Sequence, residues 1–334
     1  MGACMRLNRA QALKRVGALL AVGLSLYVGG VQAQSGAAVL RQIQEAARQL
    51  NYVGVYAYQQ GDYIESSRIT HQFDGKHERE RVEVLDGAPR EYLRTDDEVQ
   101  CLIPEQKTVL RERQRGDRFP GLLRIDPKSI ENNYSVSVAT SPLRVAGRQC
   151  QPIEVVPRDT HRYGYRLCAD TESNLLLKAQ MVDERGTVIE QIAFTQVAIG
   201  AEISDAMLVP AWPTKDWQTI HTQHQKVDLA ALGWRVTAPP GYVSTSEVTR
   251  EFADRKRVHQ LVLSDGLATI SIFIEPYLSE RSEYVPQGAA QSGSVNIYGV
   301  RIANYWLTVL GEVPASTLEQ LAQSIQYISV ASPR

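Results

Sequence analysis

Apolar residues recur at helical spacing in one early stretch, GAAVLRQIQEAARQLNY, where Val39, Leu40, Ile43, Ala46, Ala47 and Leu50 share a face and charge falls on the other. The spacing predicts one amphipathic helix. From Tyr52 to about Phe194 the period shortens to that of strands, through YVGVYAYQ, YIESSRITHQF, ERVEVLD, REYLRT, VQCLIP, KTVLRER, SVSVAT, QPIEVVP, RYGYRLC, LLLKAQMV and TVIEQIAF. The separators QGD, DGK, DGAP, DTESN and DERG have turn chemistry. So many hairpin-linked strands after a single helix predict a large, curved antiparallel sheet. GDRFPGLLRIDPKSIENNYS interrupts the meander with apolar residues of no sustained period, as a loop or short helix plugging the sheet would.

Between about Ile203 and Leu232, Pro210, Pro213, two tryptophans and little periodicity predict a connector. A second unit follows from Gly233. HQLVLSDGLATISIFIEP predicts a hairpin turning at Ser264, Asp265 and Gly266, and GVRIANYWLTVLGEV predicts another strand. Ser316 and Glu319 have the spacing of a capping box, ahead of a helical stripe of Leu318, Leu321, Ala322, Ile325 and Ile328. The expected class is α+β: a large domain over 34–204, a linker over 205–232, and a small α+β domain over 233–330.

Residues 1–33 have the three parts of an export signal: basic Arg6, Arg9, Lys14 and Arg15, an apolar run from Val16 to Val31, and a small-residue site at Val31, Gln32 and Ala33. Cleavage is expected after Ala33, giving a soluble exported product. Its loss removes four basic side chains and no acidic ones, which leaves a net charge near −5. No nucleic-acid footprint is visible in that balance. Cys4 leaves with the signal, and Cys101, Cys150 and Cys168 remain, so an oxidising compartment can pair two and leaves one over. A turn with its tip at RDTH sets Ile153 opposite Tyr165, Val155 opposite Tyr163, and Cys150 opposite Cys168. A Cys150–Cys168 bridge with Cys101 left over is one reading, and buried thiols without a bond are the other.

Chemistry is sparse. His221 and His224 could approach one metal if helical, but no third ligand stands near them, and two solvated linker histidines are the alternative. No nucleophile elbow, phosphate loop or zinc-protease helix occurs, and no cofactor is expected. The basic cluster RERQRGDR, from Arg111 to Arg118, suits an anionic head group or a partner's acidic segment, or is a solvated loop. Along LLLKAQMV, Leu175, Leu177, Ala179 and Met181 point one way and Leu176, Lys178, Gln180 and Val182 the other. The first face is wholly apolar, so either the helix covers it or an acyl chain does.

CADTESNLLLKAQMVDERGTVIEQIAF resembles the corresponding strands of periplasmic lipoprotein-carrier folds, and RVAGRQCQPIEVVPRDTHRYGYRLCADTESNLLLKAQMVDERG is similar to the RseB/MucB family. LSDGLATISIFIEP and NYWLTVLGEVPASTLEQLAQSIQYI extend the likeness into the second unit. The resemblance implies a half-barrel large domain and a periplasmic regulator of envelope stress. It also implies a partner, the periplasmic segment of a transmembrane anti-sigma factor, shielded from proteolysis. Lipopolysaccharide or mislocalised lipoprotein is the implied signal, with Leu175, Leu177, Ala179 and Met181 as candidate lipid contacts. The family carries no catalytic motif, so a binding protein and not an enzyme is expected, with a lipoprotein or lipid carrier as the alternative. Self-association stays open.

Overall fold

A computed structural model describes residues 35–113, 119, 127–221, 224–251, 257–277 and 287–329. The export signal and most of the basic cluster lie outside them. The expected helix is α1 (Gly36–Gln49). Ser35 caps it, accepting a hydrogen bond from the Ala38 amide, and Leu40 and Ile43 are fully buried on its inner face. Burial of each such side chain contributes about 1.5–3 kcal/mol.

Among the described residues, thirteen strands form the first sheet. The meander opens with β1 (Tyr52–Gln60), β2 (Tyr63–Phe73), β3 (Glu78–Val84), β4 (Glu91–Thr95), β5 (Glu98–Ile103) and β6 (Thr108–Arg113). After α2 (Pro127–Asn133) come β7 (Tyr134–Val138), β8 (Leu143–Val145), β9 (Arg148–Pro157), β10 (Gly164–Asp170), β11 (Leu176–Val182) and β12 (Val188–Ile199). The spatial order is β6-β5-β4-β3-β2-β1-β12-β11-β10-β9-β7, with β8 also paired to β9, and every one of these pairings is antiparallel. Pairing β1 with β12 joins the two halves of the meander into one sheet.

The core of this lobe lies under α1 and α2. Phe119 and Ile130, from the interrupting segment, are buried in it, so the plug is real where it is described. Phe119 packs at 5.0 Å from Phe194 and 5.5 Å from Tyr56. Gly54 is required here, since a Cβ at that position would meet the Phe194 ring at 2.6 Å.

The connector is more structured than its composition implies. Residues Gln218–His221 form β13, parallel to β6 at the edge of the first sheet, and His224–Lys226 form β14, antiparallel on the edge of the second. Upstream, the Ala211 amide donates to Glu91 at 3.0 Å, and Trp212 stacks on Trp217 at 6.4 Å.

The second lobe begins with β15 (Trp234–Arg235), followed by β16 (Val243–Glu251), β17 (Arg257–Ser264), β18 (Thr269–Pro276), β19 (Gly288–Ser292), β20 (Val295–Ile302) and β21 (Tyr305–Gly311). Helix α3 (Ala315–Ser324) and β22 (Gln326–Tyr327) complete it, and β22 pairs with β15. Its seven-stranded sheet runs β14-β16-β17-β18-β21-β20-β19.

Two expectations are corrected here. The stretch read as one strand, GVRIANYWLTVLGEV, is the hairpin β20–β21, because Ala303 takes a left-handed φ of 53° and turns the apolar run back on itself. The capping box does not form: α3 starts directly after Pro314, so Ser316 is already inside the helix and its hydroxyl cannot reach back as a cap. Leu318, Leu321, Ala322 and Ile325 are buried as expected, whereas Ile328 lies past the helix and is 55% exposed.

Candidate functional site

Of the four residues singled out, Leu175 lies just before β11 and the other three on it, and all four are buried. Leu175 and Leu177 are fully buried in the first core. Ala179 and Met181, further along the strand, line a cavity of about 1480 Å³ together with Tyr165, Leu167 and Ile192. Leu176, assigned by alternation to the opposite face, is buried and reaches this cavity too. A register shift between Cys168 and Ala169 brings Leu176 against Ala169 and disturbs the alternation at that end of β11.

The cavity's remaining walls mix polar side chains with apolar ones such as Phe73, Val248, Val262 and Leu310. Arg41, Glu45 and Arg48, on the outer face of α1, form one side. Gln260, Ser264, Thr269 and Ser271, on the second sheet, form the facing side. That sheet buries Leu261, Leu263, Ile270 and Ile272 against its own helix, so period-two alternation sends the polar partners into the cleft. The site is thus a cleft between two sheets with an apolar floor and hydroxyl-rich and charged walls, not an all-apolar tunnel.

A charged band crosses the first sheet beside the floor. His71, fully buried and stacked on Tyr52 at 4.7 Å, donates from Nδ1 to the Leu50 carbonyl at 2.7 Å, and its Nε2 lies 3.0 Å from Glu78 Oε1. Arg94 donates to Glu78 and, at 3.2 Å, to Glu80. Burial alone would raise the Glu78 carboxyl, but the hydrogen bonds and charges of His71 and Arg94 outweigh it and hold the group below its ordinary range. Near the rim, Tyr58 donates to Glu190 at 2.8 Å and Ser294 donates to Glu312 at 3.3 Å. The enclosing walls, and then the like charge of Glu190, push Glu312 up to about 7. Glu312 nevertheless keeps exposed surface, which moderates the desolvation.

A buried polar joint holds the two sheets together at one end of this cleft. Arg162, in the turn between β9 and β10, has a fully buried side chain and donates to Asp265, itself fully buried in the β17–β18 turn. Arg162 also donates to both Asp159 oxygens, at 2.9 and 3.0 Å, and to the Pro240 carbonyl, and lies over the Tyr242 ring at 4.9 Å. Tyr134 donates to Asp265 at 2.9 Å, Tyr242 to the His161 carbonyl at 3.3 Å, and Asn296 to Tyr163 at 3.1 Å. Sequence reasoning missed Arg162. The Asp-x-x-Arg spacing with Asp159 was its one local trace.

The Cys150–Cys168 disulfide is present, with its α-carbons 5.4 Å apart, and Cys101 stands outside it. The register behind the expectation is corrected by two residues. Val155 faces Tyr165 and Ile153 faces Leu167, while Cys150 faces Asp170 and Cys168 faces Pro152, so the bridge runs diagonally. The turn is longer than four residues because Arg162 and Tyr163 leave the ladder for partners in the second sheet. A shift of two keeps every side chain on its expected face, which is why the bridge forms.

His221 and His224 are exposed on β13 and β14, and among the described residues no cluster of three metal-ligating side chains occurs. No helix among them is long and apolar enough to cross a membrane.

A curved sheet under one helix, joined to a second sheet over a mixed cleft, is the architecture of a two-lobed binding protein. The descriptions of the MucB/RseB N-terminal and C-terminal domains match residues 35–212 and 228–326 respectively. The chain belongs to the MucB/RseB family. It is 30% identical to the sigma factor AlgU regulatory protein MucB of Pseudomonas aeruginosa, over 92% of this chain and 96% of that one. Its identity to the sigma-E factor regulatory protein RseB of Escherichia coli K12 is 25%, over 87% and 90%. The crystal structure of MucB in complex with MucA(peri) superposes with a TM-score of 0.69 at 28% identity, covering 89% of this chain and all of that one. For the Pseudomonas aeruginosa MucA/MucB complex the values are 0.70 and 29%, covering 88% and 99%.

Proposed function

We propose that this protein is a periplasmic regulator of an envelope-stress sigma factor, exported by a signal peptide cleaved after Ala33. It holds the periplasmic segment of a transmembrane anti-sigma factor in the cleft between its lobes and keeps that segment from proteases. An acyl chain of lipopolysaccharide or of a mislocalised lipoprotein, seated on Ala179, Met181, Tyr165 and Leu167, weakens the hold. The large lobe spans 34–204 and the small one 233–330. The observation that carries this reading is the cleft: hydroxyl and charged walls suit a polypeptide, and the apolar floor suits an acyl chain. Relatives of this length named as sigma-factor regulators, one of them solved with MucA(peri), support it. Linkage requires the lipid to bind the partner-loaded protein more weakly by the same factor, about five- to 150-fold for a coupling of about 1–3 kcal/mol. Calorimetric titration of the mature protein with an anti-sigma-factor peptide, with and without lipopolysaccharide fragments, tests it. Unchanged peptide affinity would leave a passive protective cap, and no peptide binding would leave a lipid carrier, the second reading, which the same apolar floor favours.

A further inference from the structure

The two sheets are held unequally. At one end of the first sheet's strand order, between β9 and β10, Arg162 and Asp265 form a fully buried ion pair, supported by Tyr134, Asp159, the Pro240 carbonyl and the Tyr242 ring. Beside it Tyr163 bonds Asn296, and further along the order, at the end of β1, the Gln60 amide packs so closely on Gly293 that a Cβ there would lie 1.9 Å from it. At the other end of the order, on β6, Glu112 meets Arg250 of β16 at 3.5 Å, with side chains 35% and 28% exposed. Arg250 also donates to Gln260 at 2.7 Å and lines the cavity.

The energies of these contacts differ in kind. Arg162 keeps Asp159 on its own lobe, but Asp265 has no other cation and no water to turn to while the other lobe stays in place, so parting the pair leaves the Asp265 charge uncompensated. Glu112 and Arg250 are already wet, and water replaces each partner at little cost. The chain crosses from one sheet to the other beside this contact, with His221 paired to Arg111 on β6 and His224 paired to Arg250 on β16, so opening there must also peel β13 or β14, each short and exposed, from its edge.

We propose that the Arg162–Asp265 joint is the fixed pivot of the cleft, and that the cleft opens at its opposite side by separation of Glu112 from Arg250. The pivot also links the floor to the second lobe mechanically, because β10 carries Tyr165 and Leu167 into the cavity and Arg162 stands two residues before it. An occupant that presses on the second sheet therefore turns it about this point and opens the Glu112 side. The pivot is independent of what fills the cleft, so its failure and that of the reading above are separable.

Distance measurements between paired spin labels on the full mature protein, in a Cys101→Ser background, test the asymmetry. One pair, at Thr160 and Ser244, reports the pivot, and the other, at Glu98 and Arg257, reports the far side. Arg250→Glu, or 1 M NaCl without any substitution, is expected to lengthen and broaden the Glu98–Arg257 distribution by several ångströms and to leave Thr160–Ser244 narrow. Arg162→Lys, which keeps the charge and loses the fork, is expected to broaden Thr160–Ser244. A Glu98–Arg257 distance indifferent to Arg250→Glu and to salt overturns the proposal. So does a Thr160–Ser244 distance that moves as far as the other pair, or one that ignores Arg162→Lys.

Discussion

The two lobes share a plan, a sheet with a helix packed on one face, and differ in where they put their polar residues. The second lobe's core is made of aliphatic and aromatic side chains such as Leu261, Ile270, Leu307, Leu318 and Trp234. Of its buried polar residues Gln260 and Ser264 line the cleft, Asp265 and Asn296 bond the first lobe, and Thr317 lies on the helix. The first lobe buries His71, Glu78, Glu80, Glu91 and Asp170 as well and adds a disulfide. A sheet of thirteen strands has more surface than one long helix can cover, so part of its remainder is filled with paired charges and part is left as the cavity floor. The difference teaches that the second lobe is a conventional small core presenting a polar face, whereas the first trades core uniformity for a site.

The strongest way to break the comparison is Arg162→Met. It leaves Asp265 buried without its cation, and a loss of about 3–5 kcal/mol is expected. Scanning calorimetry should then resolve two transitions where a single one is expected of the native protein, since the lobes have separate cores that the joint couples. A single, merely shifted transition would mean the lobes fold as one core. Cys150→Ser with Cys168→Ser sharpens the contrast. The bridge closes a short loop, with a sequence separation of 18, and its removal should cost about 3 kcal/mol. The loss belongs to the first lobe, so amide exchange should quicken on β9 and β10 and stay unchanged on β17 and β18.

The smallest effect is that of pH. Glu78 is held low in the folded protein, so its contribution is complete above the unfolded carboxyl value of about 4.3 and disappears as pH falls through the lower folded value. Asp170, which burial would raise but hydrogen bonds from Arg148 and Ser173 hold low, adds to the same window. Glu78→Gln should lose on the order of 1 kcal/mol at neutral pH. Its melting temperature should also fall less steeply than the native one between about pH 5 and 3. Parallel curves would remove Glu78 from the account.

Strands that alternate or run apolar between turn residues were legible, and so were α1, the large sheet, the second lobe's class and the cysteine pair. The disulfide survived a register error because the error was even. What was not legible has physical causes. QTIH and HQK are strands without an apolar face, formed by pairing to an edge, and nothing in their composition records that. The β20–β21 turn uses Ala303 and Asn304, and it interrupts an apolar run without glycine or proline. Arg162 reads as a solvated turn residue until Asp265, 103 positions away, is placed beside it. The cleft shares this property. Ala179 and Met181 alternate like Leu175 and Leu177, and the register shift beside Leu176, which no residue announces, separates floor from core together with the placement of α1.

The connector strands have one further consequence. An open sheet ends in a row of unpaired amides and carbonyls that can recruit another chain, and partly unfolded neighbours in a crowded compartment would supply one. In this molecule β13 lies along β6 and β14 along β16, so the segment that links the lobes also covers one edge of each sheet. Both strands are short and exposed, with His221, His224 and Lys226 among their few residues, which makes them poor templates for further pairing. The linker is therefore a guard against edge-to-edge aggregation, and lengthening it with flexible residues would risk uncovering two edges at once.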